Sequence, residues 1–134
     1  MRSQAAFKQL DAWQQGMHLV ERVYKATARF PREELYGLTS QMRRAAVSVP
    51  SNVAEGYCRR SVKSYAYHVS VALGSHAELE TCIELACRLG FLPAEDRVVF
   101  DVSTSSVGRL LSGLHRSLED KLARSTGQAA APGT

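Results

Sequence analysis

Five cations fall between Gln41 and Lys63: Arg43, Arg44, Arg59, Arg60 and Lys63. They face a single acid, Glu55. The formal net charge of the 134-residue chain is +4, so this segment carries the whole excess and the remaining acids and bases cancel. Clustered guanidinium and ammonium groups attract anions, most simply phosphate, because their fields add. Arg44, Ser48, Ser51, Glu55 and Arg59 recur every three or four residues and share one helical stripe, with Arg43 beside it. Glu55 and Arg59 are placed to pair at i, i+4. The stripe is either an anion-binding surface or a solvated, salt-bridged helix face. Tyr57, Tyr65 and Tyr67 offer ring faces for bases, or serve as core and interface aromatics.

Other chemistry finds less support. A di-iron bundle needs Glu-x-x-His pairs. The residues three before His18, His68, His76 and His115 are Gln15, Tyr65, Leu73 and Ser112. His76 and Glu80 share a helix face as one pair, which suits a core hydrogen bond better than a ligand set. H-E-x-x-H, G-x-S-x-G and phosphate-loop patterns are absent. Cys82 and Cys87 lie about 140° apart around a helix. With Cys58 they read as reduced, buried thiols. Arg109 and His115 match the Arg-x(4–6)-His spacing of the HEPN ribonucleases, a spacing that this many arginines and histidines produce about once by chance. The expectation is a protein without enzymatic activity, metal or cofactor.

The elements that position these residues are all helices. One domain of soluble, globular composition is indicated by 45% hydrophobic and 22% charged residues over this length. A first helix spans about Leu10 to Phe30, with Leu10, Trp13, Met17, Val20, Tyr24 and Thr27 as its stripe, and stops before Pro31. A second starts at Thr39 or Ser40, buries Met42, Ala45, Ala46, Val49, Val53 and Gly56, and kinks at Pro50. A third is capped by Ser61 and ends at Gly90. It is apolar on two sides, the second carrying Tyr67, Val71, Ala77 and Leu85, which suits either self-association or a central place in the bundle. A fourth runs from about Ala94 to Leu122, with Val98, Val102, Leu110, Leu114 and Leu118 toward the core. Its Ser103–Gly108 middle is a poor helix former. Gly56 and Gly74 cost helix stability, which close helix approach would offset. The resulting fold class is all-α, an antiparallel up-and-down four-helix bundle over residues 10–122, with a flexible N-terminus over 1–9 and a disordered tail over 123–134. No signal peptide or membrane span is read, so a cytoplasmic protein is expected.

The run Gln41-x-Arg43-Arg44-Ala45 with Ser48-x-Pro50-x-Asn52-x-Ala54-Glu55-Gly56 is specific. Around it stand Trp13, Phe30-Pro31-x-x-Glu34, Ala72-Leu73-Gly74-Ser75-x-x-Glu78-Leu79-Glu80 and Leu89-Gly90-Phe91-Leu92. Together these residues, covering most of 7–122, resemble the bacterial four-helix-bundle proteins encoded by intervening sequences of 23S rRNA genes, relatives of the accessory proteins of diversity-generating retroelements. The resemblance implies a bundle assembled as a ring, commonly a homopentamer with a central channel, without known catalysis. The retroelement relatives bind nucleic acid and a reverse transcriptase; for this chain the charge count of the Arg43–Lys63 segment leads to the expectation of binding to RNA, a ribonucleoprotein or another nucleic-acid-processing protein. The resemblance carries over Arg43, Arg44, Asn52, Glu55 and Arg59 or Arg60 as a surface or assembly site, and Ser48, Pro50 and Gly56 as motif residues. The chain differs from the retroelement proteins in its Ser/Gly-rich fourth helix and lower basicity.

Overall fold

The computed structural model describes residues 6–127. Four helices follow a short 3-10 turn at Ala6–Gln9: α1 (Asp11–Thr27), α2 (Leu38–Cys58), α3 (Val62–Arg88) and α4 (Ala94–Ser125). Among the described residues there is no strand. Paired contacts fix the directions. Gly16 faces Pro50 while Arg43 reaches Thr27, so α1 and α2 are antiparallel. Asn52 meets His68 and Ser48 meets Ser75, so α2 and α3 are antiparallel. His76 meets Thr104 and Glu84 meets Arg97, which sets α4 against α3. Arg29 and Asp96, 2.7 Å apart, close α4 back onto α1.

The bundle has a main core and a smaller one. Leu19, Val23, Met42, Val49, Leu79 and Leu111 centre the first. Tyr65, Ala66, Val69 and Leu118 form the second, where the start of α3 meets the end of α4, and Leu114 packs against both. The α2 face is the one expected from its sequence.

Two other faces are corrected. In α1 the buried side is Ala12, Gly16, Leu19, Val23 and Ala26, whereas Met17 and Tyr24 are exposed. The small residues let α1 approach α2 closely: a Cβ at Gly16 would stand 3.5 Å from Pro50. In α4 the core side is Phe100, Thr104, Val107, Leu111 and Leu118. Val98 and Val102 are 64% and 68% exposed, on the opposite side. The stretch between Val102 and Leu110 has few large apolar residues, so the sequence stripe crossed from one face to the other there. That stretch is nonetheless helical. Buried Thr104 returns its hydroxyl to the Phe100 carbonyl at 2.9 Å, and Gly108 leaves room for the His76 ring, whose Cε1 would lie 3.3 Å from a Cβ at that position.

The helix ends differ in detail. α1 stops at Thr27, three residues before Phe30, whose ring packs on Phe91. α2 begins at Leu38, and neither Thr39 nor Ser40 caps it. The Glu34 carboxylate instead accepts the Leu38 N–H at 3.1 Å. A Cβ at Gly37 would press within 3.1 Å of that same oxygen. Ser61 caps α3 through the Ser64 N–H. Gly90, at φ 79, closes α3 in a left-handed turn, with Phe91 N–H bonding Ala86 O and Gly90 N–H bonding Cys87 O. Ala6–Gln9, placed by the sequence in a flexible end, form a turn whose Phe7 ring meets Trp13 edge-on. α4 continues to Ser125, past the tail boundary expected at Leu122. The rest of both terminal assignments lies outside the described residues.

Candidate functional site

α2 contributes two different faces. Toward α3 it presents a seam of linked polar groups. The Asn52 amide donates to the Ser48 carbonyl at 2.9 Å and to the Ser48 hydroxyl at 3.0 Å. That hydroxyl shares a 2.8 Å hydrogen bond with Ser75 of α3. The Asn52 carbonyl oxygen accepts the Nδ1–H of His68 at 3.1 Å. The other ring nitrogen of His68 lies 3.8 Å from Glu55, and Glu55 accepts Arg59 at 2.6 Å. Gly56 makes this closeness possible: a Cβ there would fall 2.8 Å from the His68 Cβ and 2.9 Å from the Tyr65 ring. The small-residue approach expected of Gly56 is therefore present. That of Gly74 is not, because Gly74 is exposed and a Cβ there would meet nothing within 4 Å.

Toward solvent and α1, the same helix presents its cations. Arg43 is half-buried. Its guanidinium lies 4.5 Å over the Tyr24 ring, and its Nε–H donates to the Thr27 hydroxyl at 2.8 Å, which in turn donates to Val23 O. Arg44, Arg60 and Lys63 are exposed and form no ion pair with an acid among the described residues. Arg44 and the end of α2 at Cys58 are separated by about 21 Å along the helix axis, and Arg60 lies just beyond that end. The five cations, drawn from one segment of the sequence, thus divide into a pair near the start of α2 and a trio at the α2–α3 joint.

Tyr65 is buried, with Tyr57 edge-on to it at 6.0 Å, so both belong to the small core. Tyr67 points outward at 63% exposure. The second apolar side of α3 is largely uncovered within the protomer, since Ala77 and Leu85 are exposed as well and Val71 is half-buried. Cys82 is buried, which pushes its thiol pKa up with a further contribution from Glu78; Cys58 is exposed, contrary to the expectation of three buried thiols.

Beside Arg43 and Arg44 lies an open hollow of about 570 Å3, with Tyr24, Leu35, Tyr36 and Val47 on its walls. A second hollow between α3 and α4 is lined by Arg109 but not by His115, which pairs with Glu119 instead. Arg109 and His115 are thus not brought together. His76 is buried, donating Nε2–H to Thr104 O at 2.9 Å with Nδ1 3.4 Å from Glu80. Among the described residues no group of three His, Cys, Asp or Glu could hold a metal, and no helix is long and apolar enough to cross a membrane. The sequence reading missed His68 of the seam, whose register opposite Asn52 exists only once the helices pair. It also missed Tyr24 and Tyr36. The second had a signal: a tyrosine before a glycine in a joint too short to bury it.

Glu55 and Glu84 are depressed carboxylates. The Arg59 hydrogen bond, aided by His68, holds Glu55 below the usual range; Arg88 chiefly, and then Arg97, do so for Glu84. A group with a lowered folded pKa stabilises the fold above its ordinary pKa and loses that contribution as pH falls through the depressed value. Stability is expected to decline on acidification below about pH 4. In urea unfolding, the Glu55→Gln/Glu84→Gln pair should show a shallower acid-side decline than the parent. Both side chains are exposed, so the difference is small and shrinks in salt.

The family model described as "23S rRNA-intervening sequence protein" matches residues 8–113. A crystal structure of a protein of unknown function from the S23 ribosomal protein family of Bacteroides thetaiotaomicron VPI-5482 superposes with a TM-score of 0.72 at 17% identity, over 78% of this chain and 95% of that one. At that identity it is the four-helix fold that is shared. No curated protein matches the chain. With the motif of α2 and most of the bundle inside the matched range, this chain belongs to the 23S rRNA-intervening sequence protein family.

Proposed function

We propose that this protein is a non-enzymatic, cytoplasmic, self-associating bundle that binds RNA, or a protein that carries RNA, through the cations of α2 and the α2–α3 joint. The observation that carries this reading is that Arg44, Arg60 and Lys63 stand exposed with no acid to neutralise them among the described residues. Arg43 and Arg59 are committed to Tyr24, Thr27 and Glu55, so they shape the surface more than they supply free charge.

The test is binding of a structured RNA across a salt series. Replacing Arg44, Arg60 and Lys63 together by alanine is expected to lower the log–log salt slope by about 2 to 3, because each phosphate contact contributes somewhat under one. A flat salt response of the parent protein, or an unchanged slope in the triple variant, sinks the RNA reading.

A second reading, assembly alone, is favoured by a separate observation. Ser48, Asn52 and Glu55 spend their hydrogen bonds on α3 and Arg59, so these motif residues secure the protomer. The uncovered side of α3, with Tyr67 and Leu85, then serves contact between copies. Sedimentation of the same samples checks this: a ring, five copies by the family resemblance, is expected, and a monomer at micromolar concentration removes it.

A further inference from the structure

The hollow at the start of α2 has a composition that general basicity does not explain. Tyr36 is 94% exposed, and Tyr24, Leu35 and Val47 around it are each exposed by two-fifths or more. Single exposed apolar residues are ordinary, but four sharing one concavity are a patch that calls for an occupant. The lining includes two cations, Arg43 and Arg44, and no acid. Its occupant must therefore be both anionic and flat or apolar.

The arrangement of the arginines narrows this further. Arg43 is fixed, its guanidinium stacked on Tyr24 and tied to Thr27 through one of its five N–H groups. Its guanidinium lines the hollow beside the Tyr24 ring. Arg44 is exposed and engages no acid among the described residues, so it is available to a phosphate. Tyr36 stands in the turn before α2, held by Gly37 and the Glu34 cap. An exposed ring to stack on, a second ring covered by a cation and an exposed cation with no acid partner among the described residues are the parts of a single-strand site. Bases of a duplex are already stacked inside it and could not reach Tyr36.

Resting on the RNA reading above, we infer that this hollow receives an unpaired nucleotide of single-stranded RNA, its base against Tyr36 and its phosphate on Arg44. The trio at the α2–α3 joint then meets backbone phosphates elsewhere on the same strand. An acidic protein segment would satisfy Arg44 but has no need of an exposed aromatic face.

The experiment compares a short oligoadenylate with a fully paired RNA duplex of the same length, using fluorescence anisotropy. The parent should prefer the single strand. Tyr36→Ala should weaken oligoadenylate binding about tenfold or more, within the range for loss of one stacked base, with its unfolding midpoint unchanged because the side chain is exposed. Tyr36→Trp should retain binding, and its added indole emission should be quenched by oligoadenylate. Arg44→Ala should reduce the salt slope by about one. If oligoadenylate binds but Tyr36→Ala has no effect while the Arg60 and Lys63 variants do, the inference is overturned and the RNA reading survives. Equal affinity for duplex and single strand, without quenching, also overturns it. Arg44-dependent capture of a polyglutamate peptide that Tyr36→Ala leaves untouched, together with oligoadenylate binding insensitive to Tyr36, assigns the hollow to an acidic protein partner and overturns it. Failure of the parent to bind any RNA removes both.

Discussion

Replacing Gly56 by alanine is expected to destabilise the fold by about 2 kcal/mol, even though alanine is the better helix former. The added methyl would stand 2.8 Å from the His68 Cβ, 2.9 Å from the Tyr65 ring and 3.3 Å from the Tyr65 carbonyl oxygen. Two of these neighbours belong to the α3 backbone or its first side-chain atom and cannot turn away. The third is a buried ring set edge-on against Tyr57. Relief therefore requires moving α3 as a whole. Overpacking of this kind costs about 1–3 kcal/mol and more where backbone must shift, against about 1 kcal/mol returned by helix propensity. Gly74→Ala is the control. It lies on a helix interior with nothing within 4 Å, so it should stabilise the protomer by up to about 1 kcal/mol. Urea midpoints measure both. A neutral or stabilising Gly56→Ala would mean that α2 and α3 are not this close.

Asn52→Ala is expected to cost about 2–3 kcal/mol. The substitution removes the donor to Ser48 and the acceptor of His68 together, leaving the Nδ1–H of a ring whose side chain is only 12% exposed without its partner. Stranding a buried polar group costs more than the net value of the bond that it made, about 1–3 kcal/mol against about 1. A double-mutant cycle of Asn52→Ala with His68→Ala separates this from general packing loss. Coupling of about 1 kcal/mol or more is expected for residues in one network. Strict additivity would show that the seam is not a connected unit.

What could be read from the chain, and what could not, follows a physical division. The α2 face was legible because its large and small apolar residues, Met42 to Gly56, keep one phase for about four turns. The Schellman end at Gly90 and the Ser61 cap were legible because single residue types do that work. α1 misled because its true contact face places only Leu19 and Val23 among Ala12, Gly16 and Ala26, small residues that carry little hydrophobic signal, while the larger Met17 and Tyr24 are exposed. α4 misled because Ser103–Gly108 gives no phase at all. The seam was half legible: Ser48, Asn52 and Glu55 were marked by motif, but His68 is specified only by the register of two helices. The cations were seen, yet their division between the two ends of α2 requires the helix's length. Glu34 was noted without its purpose, since a carboxylate four residues ahead of a helix start becomes a cap only when the chain turns back.

The two cores of the bundle set where it loosens. α4 outlasts α1 by 32 residues to 17, so the end of α4 rests on the smaller core of Tyr65, Ala66, Val69 and Leu118, with Tyr57, Leu114 and Leu122 packed around it. A small satellite core holds a lower local unfolding free energy than the main one, and its amides exchange with solvent sooner. Arg60 and Lys63 stand beside that satellite, whereas Arg43 and Arg44 stand on the main body. One end of α2 is thereby rigid and the other compliant, so a bound strand would be gripped at a fixed point and accommodated at a yielding one.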